Sequence, residues 1–539
     1  MKKEVTIAWS YILLFILYSL TAIVYNLINE TAELICMRIA AALINSMGVT
    51  LLSIMGIWLV KRLTNISLLT PLLILNAAVA LVECFLLANF YSLITPSTLF
   101  VLIGTNRNEA AEFFHSYFTI PIWFLLTSFL FILFIGWKHR KCTFSLRLPE
   151  WMTTKWMKMA LLFSILSVYG GLNYYVRCVR YMTSFQMLTG IERVWHSVQI
   201  TQRDVKEYQK YLNLVQQAPS ISLTKNESTI PYIVLIIGES TSKWHMQAYG
   251  YQRQTTPRLM ERLEKQETVL FTDVETSHTV TYAAIPDIMT FHTSADEKKW
   301  YEYPTLPQIM RSAGYHTIWI SNQDSFTFGP DNSTVSIANS ADVTLFTYQR
   351  HASEERYGYF DEAILPLLKG QIQGNESKQF FCLHLMGCHR RYTNRYPSSF
   401  AIFTPSDNHN LTNYNQQKTI AEYDNCVLYT DFICNEIIKL FEDKDALVLY
   451  FSDHGEEVYD TRNMCGHTPQ NPTPPMVQVP LWIWTSRQFK ENHPVTQKRI
   501  ENSKKTPFNT THTPYTLMDI CDLESMEYDE KKSLLYQSQ

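Results

Sequence analysis

Carboxylates and imidazoles occur in this sequence directly after apolar runs, where they could form a metal site. Glu239 follows the run Tyr232–Ile237. Asp453 and His454 follow the run Ala446–Phe451. Carboxylate oxygens and imidazole nitrogens are ligands that Zn²⁺ or Mn²⁺ takes in proteins. A single such residue is more often a helix cap or a surface side chain, so the adjacent Asp-His pair is the most specific part of this prediction.

Two further histidines are candidates for the same site. His389 comes shortly after the apolar run Phe380–Leu385, and His467 comes shortly after the Asp-His pair. A lone histidine is more often a surface residue or a satisfied core residue. The fold must therefore bring these two residues to the carboxylates before they count as part of a site.

The apolar runs have the length and composition of buried parallel strands, because they are short, rich in β-branched residues and bounded by polar residues or glycine. Helix-like stretches such as Leu306–Ala313 and Thr419–Phe441 lie between them. Strands that alternate with helices predict an α/β domain, in which functional groups gather beyond the carboxyl ends of the strands. The predicted strands are Tyr232–Ile237, His316–Ile320, Phe380–Leu385, Ala446–Phe451 and Val479–Trp484.

The first third of the chain is far more apolar than the rest and predicts a five-helix transmembrane domain. Each apolar run has about the 20 residues that are needed to cross the hydrocarbon core. No small-residue cleavage site follows the first run, which argues against a signal peptide. The predicted spans are Trp9–Asn26, Ile39–Val60, Ile66–Phe90, Phe118–Trp137 and Met159–Tyr175.

The loops that are rich in basic residues all fall on one side of these spans. Lys2 and Lys3 precede the first span, Lys61 and Arg62 follow the second, and a basic loop separates the fourth from the fifth. The positive-inside rule makes that side cytoplasmic. An odd number of spans then places the C-terminal domain outside, in the periplasm of a Gram-negative cell. The predicted domains are a transmembrane domain at 1–175, a helical connector at 176–228 and an α/β catalytic domain at 229–539.

The overall composition excludes some classes of function. A formal net charge of −3 argues against the basic surface that nucleic-acid binding requires.

Glu83 lies inside the third predicted span. A carboxylate there is a candidate functional group, and solvation at the membrane interface is the alternative explanation. One such carboxylate supports a transporter poorly.

Longer motifs around the candidate residues resemble the lipopolysaccharide phosphoethanolamine transferases, which belong to the sulfatase and alkaline-phosphatase superfamily. The resemblance covers nearly the whole chain, since family members also carry five N-terminal spans before a periplasmic domain. The branch that modifies the core heptose is the most similar. The motifs, in chain order, are Gly238-Glu239-Ser240-Thr241, Tyr249-Gly250-Tyr251, Thr255-Thr256-Pro257, His384 to His389 with Arg395-Tyr396-Pro397, Tyr423-Asp424-Asn425, and Tyr450 to Asp460.

The resemblance implies a role for each candidate residue. Glu239, Asp453, His454 and a threonine nucleophile would bind the catalytic zinc, with manganese as the alternative metal. His389 and His467 would hold the phosphoryl group or a second metal.

The nucleophile is expected in the stretch Thr276–Tyr282, just before a helix-like run. Many family members have Cys-Gly-Thr here and a proline later in the same helix. Placing Pro286 on that proline sets Ser277-His278-Thr279 over Cys-Gly-Thr, so Thr279 is the expected nucleophile and zinc ligand. Thr281 is the alternative, and a helix cap is the structural alternative for either residue. Metal coordination would lower the pKa of the hydroxyl.

The implied reaction transfers phosphoethanolamine from phosphatidylethanolamine to a lipopolysaccharide acceptor, core heptose or lipid A, through a covalent phospho-threonine intermediate. The outer-loop residues Asn106 and Glu109 resemble the family's lipid-facing segment, which suits substrates held in the inner membrane. The main alternative is another phosphotransferase of the superfamily, such as a glycerol-phosphate transferase, acting on a different glycan or a protein. No CxPxR-type motif lies near Thr279, which argues against a sulfatase. A non-enzymatic sensor should have lost its metal ligands, which are retained here.

Overall fold

A computed structural model describes most of the chain and divides it into two compact units. The structure describes residues 2–138 apart from 30–31, 97, 100–101, 103–106 and 119, then 142–149, scattered positions between 154 and 170, and 187–536 apart from 216–220, 325–331, 349–359, 373–377 and 406–412. The N-terminal unit comprises Met1–Leu102 and Phe114–Arg203. The C-terminal unit comprises Ile103–Phe113 and Asp204–Gln539.

Three helices of the N-terminal unit, among the described residues, are long and apolar enough to cross a membrane. They are Trp9–Asn29, Ala32–Thr64 (apolar from Ile35) and Leu69–Phe90. A further apolar helix occupies Ile120–Lys138. The predicted fifth span, 159–175, lies mostly outside the described residues. The membrane prediction is therefore confirmed for three helices, and the total of five stays a prediction.

The carboxylate of Glu83 is completely buried in the N-terminal unit, where it forms an ion pair with Arg193. Arg193 Nη2 lies 2.5 Å from Glu83 Oε2, and Thr21 Oγ1 donates a hydrogen bond to the same oxygen. Arg193 belongs to the helix Gly190–Val215, in the predicted connector. Because removal of one partner would leave an uncompensated buried charge, the pair holds the start of this helix among the apolar helices. Solvation at the membrane interface therefore does not account for Glu83.

The C-terminal unit is built around a seven-stranded, mostly parallel sheet. Its strands are β1 Tyr232–Gly238, β2 Thr268–Phe271, β3 His316–Asp324, β4 Val343–Tyr348, β5 Gln379–His384, β6 Ala446–Ser452 and β7 Leu481–Thr485. Their order across the sheet is β2-β7-β6-β1-β5-β3-β4. Strand β7 is antiparallel to β6 and β2, and the remaining neighbours are parallel.

Helices cover both faces of this sheet, which explains why its central strands are continuous apolar runs. Side chains of Ile233, Leu235 and Ile237 pack into one core, and those of Val234 and Ile236 pack into the other. The described helices that follow β1 in the chain are Pro257–Glu264, Thr281–Ile288, Leu306–Ser312, Asn332–Ala338, Ile364–Ile372, Tyr414–Lys439, Pro474–Val477, Arg487–Asn492, Pro494–Asn502 and Thr513–Ile520. Small two-stranded sheets pair Leu223–Asn226 with Leu523–Ser525, Val274–Glu275 with Phe508–Asn509, and Glu457–Val458 with Cys465–Gly466.

The α/β prediction is confirmed, and each predicted strand is present. Two strands that the sequence did not indicate are β2 and β4, which form the two edges of the sheet. Strand β2 is only four residues long, and β4 has the sequence VTLFTY, in which threonines interrupt the apolar residues. Neither strand therefore contains an apolar run as long as those by which the other strands were recognised.

Candidate active site

Two buried carboxylates emerge side by side at the carboxyl edge of the central strands. Strands β1 and β6 are parallel neighbours, and Gly238 lies directly opposite Ser452. Glu239 and Asp453 are the next residues of the two strands, and Asp453 N donates a hydrogen bond to Gly238 O at 3.0 Å. The register of the sheet thus places both carboxylates at one point.

The imidazole of His454 completes a three-residue group that can hold a metal ion. Its Nε2 atom lies 3.2 Å from Glu239 Oε1 and 3.7 Å from Asp453 Oδ2. One ligand atom from each of the three residues lies within 4.8 Å of the others, and all three side chains are buried. Two carboxylates and one imidazole are a ligand set that suits zinc and leaves room for a fourth ligand.

The hydroxyl of Thr281 lies at this group, and that of Thr279 does not. Thr281 Oγ1 donates a hydrogen bond to Glu239 Oε2 at 2.9 Å and lies 3.4 Å from His454 Nε2. Thr279 Oγ1 is buried and has no hydrogen-bond partner among the described residues. The difference arises because the helix Thr281–Ile288 begins at Thr281, so its amino-terminal end carries this hydroxyl to the carboxylates. In the structure it is therefore Thr281, the alternative named from the sequence, whose hydroxyl lies against the carboxylates, and the choice of nucleophile between the two threonines stays a prediction.

The group carries more negative charge than its one imidazole offsets. Burial alone would raise the pKa of Glu239, but attraction to the charged His454 holds it well below the usual range. Burial and the charge of Glu239 raise the pKa of Asp453 to about 7. Burial would lower the pKa of His454, but Asp453 and Glu239 raise it to about 10.

A divalent cation fits this arrangement. Asp453 Oδ2 is buried and has no hydrogen-bond partner among the described residues. A buried carboxylate oxygen that accepts no hydrogen bond is unfavourable, and the one imidazole nearby is shared with Glu239, so a bound cation would compensate the remaining charge. The donor set and the excess charge therefore agree with the metal site expected from the sequence.

The imidazole of His467 lies next to this group. The rings of His454 and His467 have their centroids 4.3 Å apart. His467 Nδ1 is hydrogen-bonded to Glu456 Oε2 at 2.6 Å, and Tyr392 Oη donates to Glu456 Oε1 at 2.8 Å. His454, Glu456 and His467 form a second group whose geometry could hold a metal ion. The His467 side chain is 28% exposed, so part of it faces solvent beside the buried group.

His389 is carried to the site by a turn that packs on the backbone of Glu239. Cys388 N donates a hydrogen bond to Glu239 O at 2.9 Å. Gly387 adopts a φ of +49°, and a Cβ at this position would lie 2.7 Å from Glu239 O, so only glycine fits. The backbone amides of Met386 and Gly387 donate to the buried carboxylate of Asp361 at 2.8 and 2.9 Å.

Two contacts of Glu239 were not foreseen from the sequence. Gln323 Nε2 donates to Glu239 Oε2 at 3.2 Å, and Ser240 Oγ donates to Glu239 Oε1 at 2.7 Å. Gln323 stands near the carboxyl end of β3, so the strand-end rule could have found it, although an amide carries no metal-ligand signal. Ser240 has a φ of +55°, an unusual conformation for a residue other than glycine, asparagine or aspartate.

The two outer-loop candidates are not tested by the structure. Asn106 lies outside the described residues. Glu109 belongs to the helix Arg107–Tyr117, and its side chain is outside the described part of the chain.

Comparison with known proteins agrees with the fold. Phosphoethanolamine transferase EptC of Escherichia coli is 27% identical over 467 residues, which cover 82% of this chain and 77% of EptC. The zinc complex of the EptC periplasmic domain from Escherichia coli superposes with a TM-score of 0.53 at 26% identity, and the match covers 60% of this chain and 91% of that domain. The integral membrane protein lipooligosaccharide phosphoethanolamine transferase A from Neisseria meningitidis shares the fold over 98% of this chain and 97% of its own, with a TM-score of 0.66 at 18% identity.

The mixed sheet, with carboxylates and imidazoles gathered at its carboxyl edge, defines an α/β domain suited to metal-assisted group transfer. The sulfatase family model matches residues 231–522, and the chain belongs to the sulfatase family. The resemblance to the lipopolysaccharide phosphoethanolamine transferases is confirmed by these relatives.

Proposed function

We propose that this chain is a metal-dependent transferase that moves phosphoethanolamine from phosphatidylethanolamine to a lipopolysaccharide acceptor, either core heptose or lipid A. The observation that carries the proposal is the position of the Thr281 hydroxyl, hydrogen-bonded to Glu239 and close to His454. Phosphoethanolamine is proposed as the transferred group because the related EptC and CptA proteins are phosphoethanolamine transferases.

Zinc is the proposed metal, and Glu239, Asp453, His454 and Thr281 are the residues that would hold it. Support comes from the zinc complex of the EptC periplasmic domain, and manganese has no comparable support. The metal would lower the pKa of the Thr281 hydroxyl and offset charge that develops on the phosphoryl oxygens.

The chain's own residues supply the rest of the first step. Glu239 Oε2 accepts the hydrogen bond of Thr281 Oγ1 and so orients the hydroxyl for attack on phosphorus, while the hydroxyl proton would pass to solvent as metal coordination lowers the pKa of the hydroxyl. The amino-terminal end of the helix Thr281–Ile288 favours the negative charge that forms on Oγ1. The bond from phosphorus to the diacylglycerol oxygen breaks, and the partly exposed His467 is the candidate proton donor to that oxygen.

The second step repeats the displacement with the acceptor. His389 and His467 would hold the phosphoryl oxygens while an acceptor oxygen attacks the phospho-threonine. His467, which gave its proton to the diacylglycerol oxygen, takes the proton of an acceptor hydroxyl. The bond from Thr281 Oγ1 to phosphorus then breaks, and the threonine regains its proton from solvent. A covalent intermediate of this kind predicts ping-pong kinetics.

The membrane helices support a location at the inner membrane, where both substrates would reside. The basic residues on one side of the predicted spans support a periplasmic position for the C-terminal unit. Asn106 and Glu109 remain the proposed lipid-facing residues of the outer loop.

Intact-mass measurement of the purified full-length protein tests the donor and the nucleophile together. After incubation with zinc and phosphatidylethanolamine, the wild type should gain about 123 Da, the mass of a phosphoethanolamine ester. Thr281→Ala should lose this adduct, and Thr279→Ala, a matched control two residues away, should keep it. Addition of lipid A or of lipopolysaccharide core then shows which acceptor discharges the adduct.

Three results would count against the proposal. Loss of the adduct only in Thr279→Ala would move the nucleophile back to that residue. A glycerol-phosphate adduct formed from phosphatidylglycerol, with none from phosphatidylethanolamine, would favour the alternative phosphotransferase. No adduct from either lipid would remove the covalent mechanism.

A further inference from the structure

Glu112 is a buried carboxylate that the proposed chemistry does not use. It belongs to the helix Arg107–Tyr117, which the chain forms between the third and fourth apolar helices. Residues up to Phe113 group with the C-terminal unit, and Glu112 is only 7% exposed there. A carboxylate is rarely buried to this extent unless it is paired.

Three donors from one short segment occupy the Glu112 carboxylate. Arg395 Nη2 and the backbone amide of Arg391 donate to Oε2 at 2.5 and 3.2 Å. Asn394 Nδ2 donates to Oε1 at 2.6 Å. The side chains of Arg395 and Glu112 are 7% and 9% exposed, so water screens this pair little.

The same segment contains His389 and is linked to His467 through the carboxylate of Glu456. Arg395 Nε donates a hydrogen bond to His389 O at 2.8 Å. Tyr392, which lies between them in the chain, donates to the Glu456 carboxylate that binds His467 Nδ1. Residues 389–395, here the histidine segment, thus connect Glu112 at one end to His389 and His467 at the other.

We propose that Glu112 is a positioning residue, which fixes the histidine segment and thereby the imidazoles that face the phosphoryl group. The role of those imidazoles rests on the proposed function, whereas the anchoring of the segment does not. A residue far away in the sequence thereby becomes part of the active-site architecture. Its three hydrogen bonds account for its burial without a direct contact to substrate.

Hydrogen–deuterium exchange of the zinc-loaded full-length protein tests the anchor without any substrate. Glu112→Gln should speed exchange at least tenfold in peptides that cover the histidine segment, because an amide cannot accept from all three donors. Exchange in β6 should stay unchanged, which shows that the fold is intact. The matched control Glu436→Gln, which removes an exposed ion pair with Lys439, should leave the histidine segment as protected as in the wild type.

The rate of adduct formation at Thr281 then tests the positioning role. Glu112→Gln should lower this rate by about 10- to 100-fold, the range for loss of an outer-shell partner, with zinc content unchanged. Combining Glu112→Gln with Arg395→Gln should lower it no further than the slower single variant, because both act through one connection.

Unchanged exchange in the histidine segment of Glu112→Gln would overturn the proposal, whatever the substrate proves to be. Faster exchange with an unchanged adduct rate would also overturn it, since the segment would then be anchored without effect on the reaction. Absence of an adduct in the wild type would contradict the proposed function alone and leave the exchange result to decide the anchor.

Discussion

Two buried charge clusters lie in the C-terminal unit, and they differ in how their carboxylate oxygens are satisfied. The first contains the proposed nucleophile and is here called the nucleophile cluster; it comprises Glu239, Thr281, Asp453 and His454. The second, here the His245 cluster, comprises His245, Tyr251, Arg253, Asp424 and Asp460.

Every carboxylate oxygen of Asp424 has a partner in the His245 cluster. Asp424 Oδ1 is hydrogen-bonded to His245 Nδ1 at 2.7 Å, and Oδ2 accepts from Tyr251 Oη at 2.9 Å and Arg253 Nη1 at 2.7 Å. His245 Nε2 also lies 3.2 Å from Asp460 Oδ1. Burial would lower the pKa of His245, but Asp424 and Asp460 raise it to about 10, so two cations face two carboxylates.

The nucleophile cluster is balanced differently, because two carboxylates face one imidazole and Asp453 Oδ2 has no hydrogen-bond partner among the described residues. A cluster that balances itself serves to hold elements together, whereas a cluster with excess charge needs a cation. The chemistry available to a buried charge cluster therefore depends on the charge that it leaves unbalanced rather than on its residue types alone.

Asparagine substitution in each cluster should give opposite outcomes, and this is the largest effect expected. Asp453→Asn should lose bound zinc and slow adduct formation at least about 100-fold, comparable to loss of a group that stabilises the transition state. The melting temperature of the metal-free protein should not fall, because one of two repelling carboxylates is removed. Elemental analysis and thermal unfolding in detergent measure both quantities.

Asp424→Asn is the matched variant in the His245 cluster. It should keep the zinc content of the wild type but lower the free energy of unfolding by about 3–5 kcal/mol, because it leaves buried cations uncompensated. Zinc retained in Asp453→Asn, or lost in Asp424→Asn, would contradict the distinction between the two clusters.

Much of the nucleophile cluster could be predicted from the sequence, because its carboxylates and His454 follow long apolar strands whose ends meet in any parallel sheet. Thr281 could not be chosen over Thr279, since the choice depends on the residue at which the helix begins. Helix boundaries are the least certain part of a sequence reading.

Residues that act through long-range contacts left no signal in the sequence. Glu112 lies 283 positions from Arg395, and no local pattern relates an outer-loop helix to a turn that follows β5. The pairing of Glu83 with Arg193 was hidden for the same reason. Such contacts depend on tertiary packing, which periodicity and motif spacing do not encode.

The charge of His245 should make the stability of the protein depend on pH, an effect that we expect to be smaller than those of the asparagine substitutions. The pKa of His245 is about 10 in the folded protein and 6.5 ordinarily. Between pH 6.5 and pH 10 the folded protein therefore keeps a proton on His245 that the unfolded chain releases. The stabilisation is therefore complete below about pH 6.5 and is lost as the pH rises towards 10, at up to about 1.4 kcal/mol per pH unit. Asp460, whose pKa is lowered by His245 despite its burial, contributes stability that is lost only at acid pH.

Thermal unfolding of the wild type and His245→Gln between pH 7 and 9.5, at fixed zinc, measures this contribution. The difference in stability between the two proteins should shrink as the pH rises. A difference that is constant or that grows with pH would mean that His245 is not charged in the folded state.

A third cluster tests whether a satisfied carboxylate can still influence the reaction, with the smallest expected effect. Asp287 lies on the helix that begins at Thr281, is only 3% exposed, and binds one imidazole through each oxygen. His278 Nε2 lies 2.7 Å from Oδ2, and His292 Nδ1 lies 2.5 Å from Oδ1. These two histidines flank the helix in the chain, so the cluster fixes the position of the nucleophile without touching the metal ligands.

Asp287→Asn should therefore slow adduct formation about tenfold, near the lower limit for outer-shell partners, and leave the zinc content unchanged. Asp342→Asn, which breaks a carboxylate contact with Arg311 in the same unit, is the control and should not alter the adduct rate. If Asp287→Asn instead lowered zinc content, the cluster would belong with the metal ligands. If it left the rate unchanged, clusters whose carboxylate oxygens all have partners would contribute to stability alone. The distinction between such clusters and the nucleophile cluster would then be sharper than we propose.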